Sequence, residues 1–294
     1  MPASDQVAHA TPDPTSATPS ATATPALELR DVTVRFGGVT ALSAAGLRVA
    51  EHTVHGVIGP NGAGKTTLFN VACGFLRPDE GQVVRRGETL ARLRPHRLAS
   101  YGMSRTLQGL GLFDRLSVLD NVMVGADRHG RSGFLGTMLA LPGATRDEDR
   151  LRERAMEALE RLRIAEHARR YPPSLPYALR KRVALARALV AEPTLLLLDE
   201  PASGLSSEEM DELAALIGGL SGEMAVMLVE HHMDLVMKVC DRITVLDFGK
   251  VIADGSPAEV QQDPAVVAAY LGDDVADLDA DTGPATDPAT PTEA

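Results

Sequence analysis

Tryptophan is absent from this 294-residue chain, and only four tyrosines and six phenylalanines supply aromatic rings. So few rings argue against a stacking platform for single-stranded nucleic acid. Long apolar runs are missing too, because runs such as Leu195–Leu198 fall far short of the roughly 20 residues that a bilayer-spanning helix needs. The sequence therefore predicts a soluble chain without a membrane span.

Cysteine is also scarce. The two cysteines, Cys73 and Cys240, lie far apart and lack the spacing of metal ligands or redox pairs, so we expect reduced, buried thiols. The first 25 residues have neither the basic start nor the apolar stretch of a signal peptide, so we expect no secretory signal there.

Basic residues are missing from both ends, where most of the formal charge of −11 resides. Residues 1–25 carry two acids, and residues 273–294 carry seven, again with no Lys or Arg. This leaves a net charge of −2 for the body between them. The body therefore lacks the excess of positive charge that is typical of nucleic-acid-binding domains. The Ala/Thr/Pro/Ser composition predicts disordered tails at 1–25 and 273–294, the second one acidic.

The body alternates predicted strands with helices. Apolar positions between residues 27 and 34, then Gly37-Gly38, predict an opening strand and a turn. In the last third, strands at 195–198, 225–230, 243–246 and 251–253 alternate with helices, two of which begin with capping boxes at Ser206 and Ser256. Fully apolar strands in this arrangement predict a parallel sheet covered on both faces.

The middle of the chain is predicted to be helical. Thr145 is the expected N-cap of one helix, and Pro176 is the expected first residue of another that ends near residue 191. This part, about residues 114–191, is interpreted as an insertion into the α/β core.

A glycine-rich segment carries the clearest chemical signal. A predicted strand at 53–58 precedes it, and a predicted helix at 66–73 follows it, which is the context that a phosphate-binding loop requires. Inward-pointing backbone N–H groups would bind phosphate, the lysine would reach the β- and γ-phosphates, and the first threonine would bind Mg²⁺. A plain glycine-rich turn is the alternative. The segment matches G-x-x-x-x-G-K-[ST] with Gly59, Pro60, Asn61, Gly62, Ala63, Gly64, Lys65, Thr66 and Thr67.

Two acids complement this loop. Asp199 and Glu200 end the apolar strand 195–198, at the sheet edge where parallel sheets bind ligands. Asp199 would hold Mg²⁺, and Glu200 would polarise the attacking water. An ordinary strand end is the alternative for the pair taken alone.

Residues 26–272 resemble the nucleotide-binding subunits of ABC transporters. The resemblance implies an α/β, P-loop NTPase (RecA-like) parallel sheet core, with a small antiparallel β subdomain and an inserted helical subdomain. It also implies that Phe36 stacks on adenine, that Gln108 binds Mg²⁺ and senses the permease, and that His231 contacts the γ-phosphate. Ser203–Ser206 would cross a dimer interface. Core packing for Phe36, a solvated position for Gln108 and a strand-end role for His231 are the alternatives.

Within that family, the chain is most similar to the ATP-binding subunits of branched-chain amino acid importers. The stretches 105–113, 230–236, 254–259 and 266–272 carry this likeness. It implies permease subunits, an indirectly coupled substrate-binding protein, and a peripheral position at the cytoplasmic face of the cell membrane. Relatives that transport urea, amides or lipid look similar, so the cargo stays open.

The chain departs from the family at its signature, which is usually L-S-G-G-Q or L-x-Y-G-Q. Proline, alanine and leucine replace residues that would face the partner's γ-phosphate, which predicts a weakened contact. This motivates a heterodimer with a paralogous ATP-binding subunit, although a homodimer or harmless branch variation is the alternative. The segment is Leu175, Pro176, Tyr177, Ala178 and Leu179.

Three functions are therefore weighed. The leading one is ATP hydrolysis that drives a transporter. A regulatory subunit that binds ATP and scarcely hydrolyses it is the second, because of the altered signature. A soluble ABC ATPase of translation or DNA repair is the third, and the single cassette with a nearly neutral body argues against it.

Overall fold

The computed structural model describes residues 24–106, 110–126 and 142–270. Both predicted tails lie almost entirely outside these ranges. In the described part of the chain, two sheets organise the fold, one antiparallel and one mostly parallel. This arrangement confirms the predicted α/β, P-loop NTPase class.

The antiparallel sheet has the strand order β2-β1-β4-β5. Strand β2 was not predicted from the sequence, because Ala, Ser and Gly interrupt its apolar positions and these residues have little preference for strands. Leu47 of β2 nevertheless pairs with Leu29 of β1, and both side chains are buried. The strands are β1 (Leu27–Phe36), β2 (Val39–Val49), β4 (Glu80–Arg85) and β5 (Glu88–Thr89).

The second sheet has six strands in the order β10-β9-β3-β8-β7-β6. All neighbours are parallel except β9 and β10, which form an antiparallel hairpin at one edge. The three-residue strand β6, at the other edge, is too short for a periodic signal and was not predicted. The strands are β3 (Val54–Ile58), β6 (Met103–Arg105), β7 (Leu195–Asp199), β8 (Ala225–Val229), β9 (Arg242–Asp247) and β10 (Lys250–Gly255).

Helices cover both faces of the second sheet. Short 3-10 helices span Pro95–Tyr101, Ala165–His167 and Pro172–Ser174. The α-helices are α1 (Lys65–Ala72), α2 (Val118–Gly125), α3 (Pro142–Arg161), α4 (Tyr177–Leu189), α5 (Ser207–Leu220), α6 (Met233–Val239), α7 (Pro257–Gln262) and α8 (264–270).

Two predicted helix starts were wrong. Helix α3 begins three residues before Thr145, so Thr145 lies inside the helix and is not its N-cap. Pro176 has an extended backbone, with ψ of 155°, and is therefore the N-cap of α4 and not its first residue. By contrast, both predicted capping boxes are confirmed, because Ser206 and Ser256 each accept a bond from the backbone N–H three residues on.

The core has two parts because successive side chains of a strand point to opposite faces of the sheet. Leu196 and Leu198 pack on one side with the helices α3 to α6, and Leu195 and Leu197 pack on the other with α1 and the antiparallel sheet. The parallel strands are thus covered on both faces, as their apolar sequences predict.

Both cysteines are buried and free, as predicted. Burial raises the pKa of each thiol to about 12, so both stay protonated at neutral pH. Among the described residues, no helix combines the length and the apolar character needed to cross a membrane.

Candidate active site

The glycine-rich segment forms a loop between β3 and α1, and its backbone requires glycine. Gly59 and Gly64 have φ of 148° and 100°. A Cβ atom at Gly59 would lie 2.1 Å from the Leu246 carbonyl oxygen, and one at Gly64 would lie 2.7 Å from the Ala41 carbonyl oxygen. Side chains at these two positions would therefore push the loop off the sheet.

The loop is held in place by the turn between β9 and β10. The Gly249 N–H donates to the Ala63 carbonyl at 3.0 Å, and the Gly249 carbonyl accepts from the Ser43 N–H at 2.9 Å. This turn ties the loop to both sheets. The loop shape thus depends on residues nearly 200 positions away in the sequence.

Lys65 folds back over the loop. Its ammonium donates to the carbonyl oxygens of Gly59 and Pro60, at 2.6 Å and 2.8 Å. Helix α1 begins at this residue, and its N-cap, Gly64, has no side chain with which to cap the helix. The positive end of a helix and an ammonium group therefore face the same loop, which is the electrostatic requirement for binding phosphate.

Asp199 and Glu200 lie at the carboxyl end of β7. Since β3, β8 and β7 are parallel neighbours, this end faces the same edge of the sheet as the loop. Burial raises the pKa of Asp199, the Arg105 charge opposes this, and Glu200 and Glu230 add to it. A concentration of negative charge is thus built next to the phosphate loop, where a cation would be stabilised.

His231 follows β8 and comes close to Glu200. Its Nδ1 lies 4.0 Å from Glu200 Oε1 and 3.7 Å from Glu230 Oε2, and about half of its side chain is exposed. The structure therefore brings together Glu200, which was predicted to polarise the attacking water, and His231, which the resemblance placed at the γ-phosphate, although they lie 31 positions apart.

Glu230 is a buried acid at this edge of the sheet to which the sequence assigned no role. Its side chain is fully buried, and its carboxylate accepts backbone N–H bonds from Ala202, His231 and His232 at 2.7, 2.8 and 3.1 Å. Burial raises its pKa, but these bonds and one from the His232 ring outweigh burial and lower it. An acid placed directly after a fully apolar strand was the available signal.

Lys181 is a second residue that was not predicted. From the first turns of α4, its ammonium donates to the carbonyl oxygens of Pro201 at 2.7 Å and Glu200 at 3.3 Å. Burial lowers its pKa, and the charges of Glu230 and Glu200 oppose this. Lys181 thus connects α4, the helix that begins within the signature segment, to the segment that contains Glu200, the candidate catalytic residue.

The signature residues divide between surface and core. Leu175 is buried, and Leu179 packs against the core beneath α4. The Tyr177 ring lies against Gly204, where an added Cβ would meet it at 3.1 Å. Pro176 and Ala178 are the members at the helix start, and Pro176 provides no side-chain cap. The leucine in place of a polar residue therefore contributes to packing.

The remaining predicted residues are less constrained. Phe36 ends β1 with about half of its side chain exposed, so its ring is available for stacking. Thr66 is exposed at the second position of α1. Gln108 lies outside the described residues. Three positions earlier in the sequence, Arg105 stacks on the exposed ring of Phe75, 4.3 Å from the ring centroid. The roles assigned to Phe36, Thr66 and Gln108 stay predictions.

A phosphate loop between a parallel strand and a helix, with acids ending a neighbouring strand, defines a P-loop nucleoside triphosphatase. The family model described as ABC transporter matches residues 42–203, more than half of the chain, and the model described as branched-chain amino acid ATP-binding cassette transporter matches residues 250–276. The chain belongs to the ABC transporter family, as an ATP-hydrolysing subunit.

Curated relatives agree in length and sequence. The chain is 40% identical over 251 residues to the high-affinity branched-chain amino acid transport ATP-binding protein BraF of Pseudomonas aeruginosa, covering 85% of this chain and 98% of BraF. It is 37% identical to the corresponding protein LivG of Escherichia coli, with the same coverage. The resemblance inferred from the sequence is confirmed.

Solved structures of the family are also similar. A nucleotide-free ATP-binding cassette from an ABC transporter is 29% identical, with a TM-score of 0.72 over 84% of this chain and 98% of that chain. A dimeric cassette in a post-hydrolysis state, bound to ADP and Pi, is 25% identical, with a TM-score of 0.65 over 79% of this chain and 98% of that chain.

Proposed function

We propose that the chain is the ATP-hydrolysing subunit of an importer for branched-chain or related amino acids. The observation that carries this proposal is the convergence of the phosphate loop, Asp199, Glu200 and His231 on one edge of the parallel sheet. The likeness to BraF and LivG, over 85% of this chain and 98% of each relative, favours this cargo class over urea, amides or lipid.

In this proposal each residue has one task. The loop amides and Lys65 grip the β- and γ-phosphates, and Phe36 stacks on the adenine. Glu200 polarises the attacking water, and His231 contacts the γ-phosphate. Because Lys181 holds the Glu200 segment and Gly249 holds the phosphate loop, these two parts of the site are oriented before ATP arrives.

Magnesium fits this site. Asp199 is half-buried beside Glu200 and Glu230, and this concentration of negative charge calls for a cation. Thr66, Gln108 and Asp199 would hold the ion, since Mg²⁺ prefers oxygen ligands. Bound Mg²⁺ would neutralise charge that develops on the β- and γ-phosphates during transfer.

The partners follow from the transport role. We place the chain at the cytoplasmic face of the cell membrane, bound to separate permease subunits that carry the membrane spans. A substrate-binding protein would act on the permeases and only indirectly on this chain. The proposal includes no nucleic-acid partner.

The chain would act as a dimer, either with a paralogous ATP-binding subunit or with a second copy of itself. Ala178 at the signature favours the paralogue, because a methyl group replaces the glycine that lets the backbone approach phosphate. In such a heterodimer, the phosphate loop of this chain would face an intact partner signature. Each ATP site of the dimer is a composite site, formed by the phosphate loop of one subunit and the signature of the other. The composite site that contains the signature of this chain would bind ATP and hydrolyse it poorly.

The test is reconstitution of the chain with its co-purifying membrane subunits in vesicles. We expect ATP-dependent uptake of leucine, isoleucine and valine, and little uptake of urea or amides. Lys65→Ala should abolish both uptake and hydrolysis, whereas Lys238→Ala, which removes a surface ion pair with Asp211, should leave both unchanged.

Two results would reject the proposal. Failure of the purified chain to bind ATP with Mg²⁺ would remove the phosphate-loop assignment. Binding without hydrolysis, even in the complete complex, would favour a regulatory ATP-binding subunit.

A further inference from the structure

Two consecutive histidines meet two glutamates at the carboxyl ends of β7 and β8. His232 Nδ1 lies 3.0 Å from Glu230 Oε2, and His231 Nδ1 lies 3.7 Å from the same oxygen. Glu200 Oε1 lies 4.0 Å from His231 Nδ1, and the two imidazole rings are 4.1 Å apart. The proposed function uses Glu200 and His231 and gives no task to the His232 ring.

These distances suit a small metal ion. In a tetrahedral site with bonds of about 2.1 Å, neighbouring ligand atoms lie about 3.4 Å apart. The distances from the two histidine nitrogens to the carboxylate oxygens are 3.0, 3.7 and 4.0 Å, which bracket that value. One ligand atom each from Glu230, His231 and His232 fits within a span of 4.8 Å.

The buried carboxylate is already oriented. Glu230 is fixed by backbone N–H groups of Ala202, His231 and His232, and such outer hydrogen bonds orient metal-binding carboxylates. Both histidine side chains are partly exposed, at 49% for His231 and 30% for His232, so an ion can reach them from solvent. The cluster therefore has one fixed ligand, the Glu230 carboxylate, and is open to solvent on the side of the two histidines.

We propose that Glu230, His231 and His232, with Glu200 as a fourth ligand, bind a divalent transition-metal ion of the zinc class, and that this ion inhibits ATP hydrolysis. Imidazole with carboxylate suits zinc, copper and nickel, whereas Mg²⁺ prefers an all-oxygen set. The ion would hold Glu200 and His231 away from the attacking water and the γ-phosphate. The inhibition of ATP hydrolysis rests on the proposed function, whereas the binding of the metal ion does not.

The binding test uses the full chain, free of nucleotide and of any affinity tag, with Co²⁺ as a spectroscopic probe and Zn²⁺ as competitor. We expect one Co²⁺ per chain, with the visible absorption of a four-coordinate site that bleaches when Zn²⁺ is added. His232→Asn should weaken binding at least about tenfold. Asparagine is a favoured N-cap, and His232 is the N-cap of α6, so this variant should fold.

The matched control is His52→Asn. His52 is exposed and has φ of 58°, a conformation that asparagine tolerates, so this variant also loses one imidazole without strain. Its Co²⁺ affinity should equal that of the unaltered chain. Equal affinity in His232→Asn would overturn the proposal. So would Zn²⁺ binding that needs ATP and disappears in Asp199→Asn, because the ion would then occupy the magnesium position.

The second measurement is inhibition of Mg²⁺-dependent ATP hydrolysis by Zn²⁺. We expect the inhibitory concentration to rise at least about tenfold in His232→Asn, in parallel with the loss of Co²⁺ affinity. Zinc bound at this cluster without inhibition would overturn the regulatory half. A chain that binds Co²⁺ at this cluster and fails to bind ATP would reject the proposed function and leave the metal site standing.

Discussion

At the scale of single residues, Glu230 shows how a buried charge can organise a catalytic edge. Its carboxylate is fully buried and receives three backbone N–H bonds and one imidazole bond. These bonds fix the backbone on both sides of the site, at Ala202 after β7 and at His231 and His232 after β8. Glu230 thereby sets the distance between Glu200 and His231, although the side chain of neither residue forms a hydrogen bond with it.

Glu230→Gln tests this role. The amide group must place an N–H where the carboxylate accepted one, so a buried donor loses its partner, and we expect the free energy of unfolding to fall by about 2–3 kcal/mol. Denaturant unfolding measures the change. Glu223→Gln is the control, because Glu223 pairs with Arg161 at the surface and its removal should cost less than about 1 kcal/mol. Equal effects of the two substitutions would contradict the role of Glu230.

His55 is a second buried polar residue, within β3. Its Nε2 lies 2.8 Å from the Thr244 hydroxyl, which donates to Asp254 at 2.6 Å, and Arg242 pairs with Asp254. Burial lowers the pKa of His55 to about 4, although the charge of Asp254 opposes this. In the unfolded chain the ring has a pKa near 6.5. His55 is therefore neutral in the folded protein at physiological pH.

Stability should consequently depend on pH between about 6.5 and 4. Over this window the unfolded chain binds a proton that the folded chain does not, so the contribution of His55 is present above pH 6.5 and is lost as the pH falls, by up to about 3 kcal/mol. Denaturant unfolding at several pH values should show that the free energy of unfolding of His55→Gln changes less steeply with pH than that of the unaltered chain. The exposed His52→Gln should keep the original slope, and an unchanged slope in His55→Gln would contradict the assignment.

At the scale of elements, the contact between α4 and the end of β7 is held by Lys181. Its two bonds to backbone carbonyls set the position of Glu200 relative to the loop. We expect Lys181→Met to lower kcat by about 10- to 100-fold, since small displacements of a catalytic group have effects of this size. The KM for ATP should change little, because the phosphate loop is untouched.

Two further variants complete this test. Lys181→Arg keeps a donor and should recover most of kcat. Arg182→Met lies next on the same helix, where the guanidinium pairs with the exposed Glu212, and should behave as the unaltered chain. Equal losses in Lys181→Met and Arg182→Met would indicate general damage to α4.

The elements also show what the sequence could predict. Strand β8 is apolar throughout, β7 is apolar up to Asp199, and the part of β9 at 243–246 is apolar except for Thr244, so all three were predicted. Strand β2, by contrast, contains small residues and is held by its pairing with β1. Capping boxes with Glu at the third helical position were found, and the box of Ser117 with Asp120 was not, because the shorter acid departs from the expected pattern.

At the scale of the whole molecule, the candidate site could be predicted only as separate pieces. The phosphate loop and Asp199-Glu200 are local patterns, each visible within ten residues. The bond from Gly249 to Ala63 and the bonds from Lys181 across to Pro201 join distant segments, and nothing in the local sequence marks them. Sequence therefore indicated the chemistry, while the packing of the sheet determines how its groups are aligned.

The proposed asymmetry of the dimer makes the last prediction. In a heterodimer, Glu200→Gln in this chain silences the site built on its own phosphate loop. Residual hydrolysis then comes from the site that combines the partner's loop with the signature of this chain. Ala178→Gly should raise that residual single-turnover rate, by up to about 100-fold if one phosphate-facing contact is restored.

The control for this experiment is Ala215→Gly on the exposed face of α5, which carries the same helix-propensity cost of about 1 kcal/mol without touching a composite site. Its residual rate should equal that of Glu200→Gln alone. If Ala178→Gly also leaves the residual rate unchanged, the methyl group at the signature does not limit phosphate contact. In that case either the second site contains a different defect, or the subunit pairs with itself and both sites work equally.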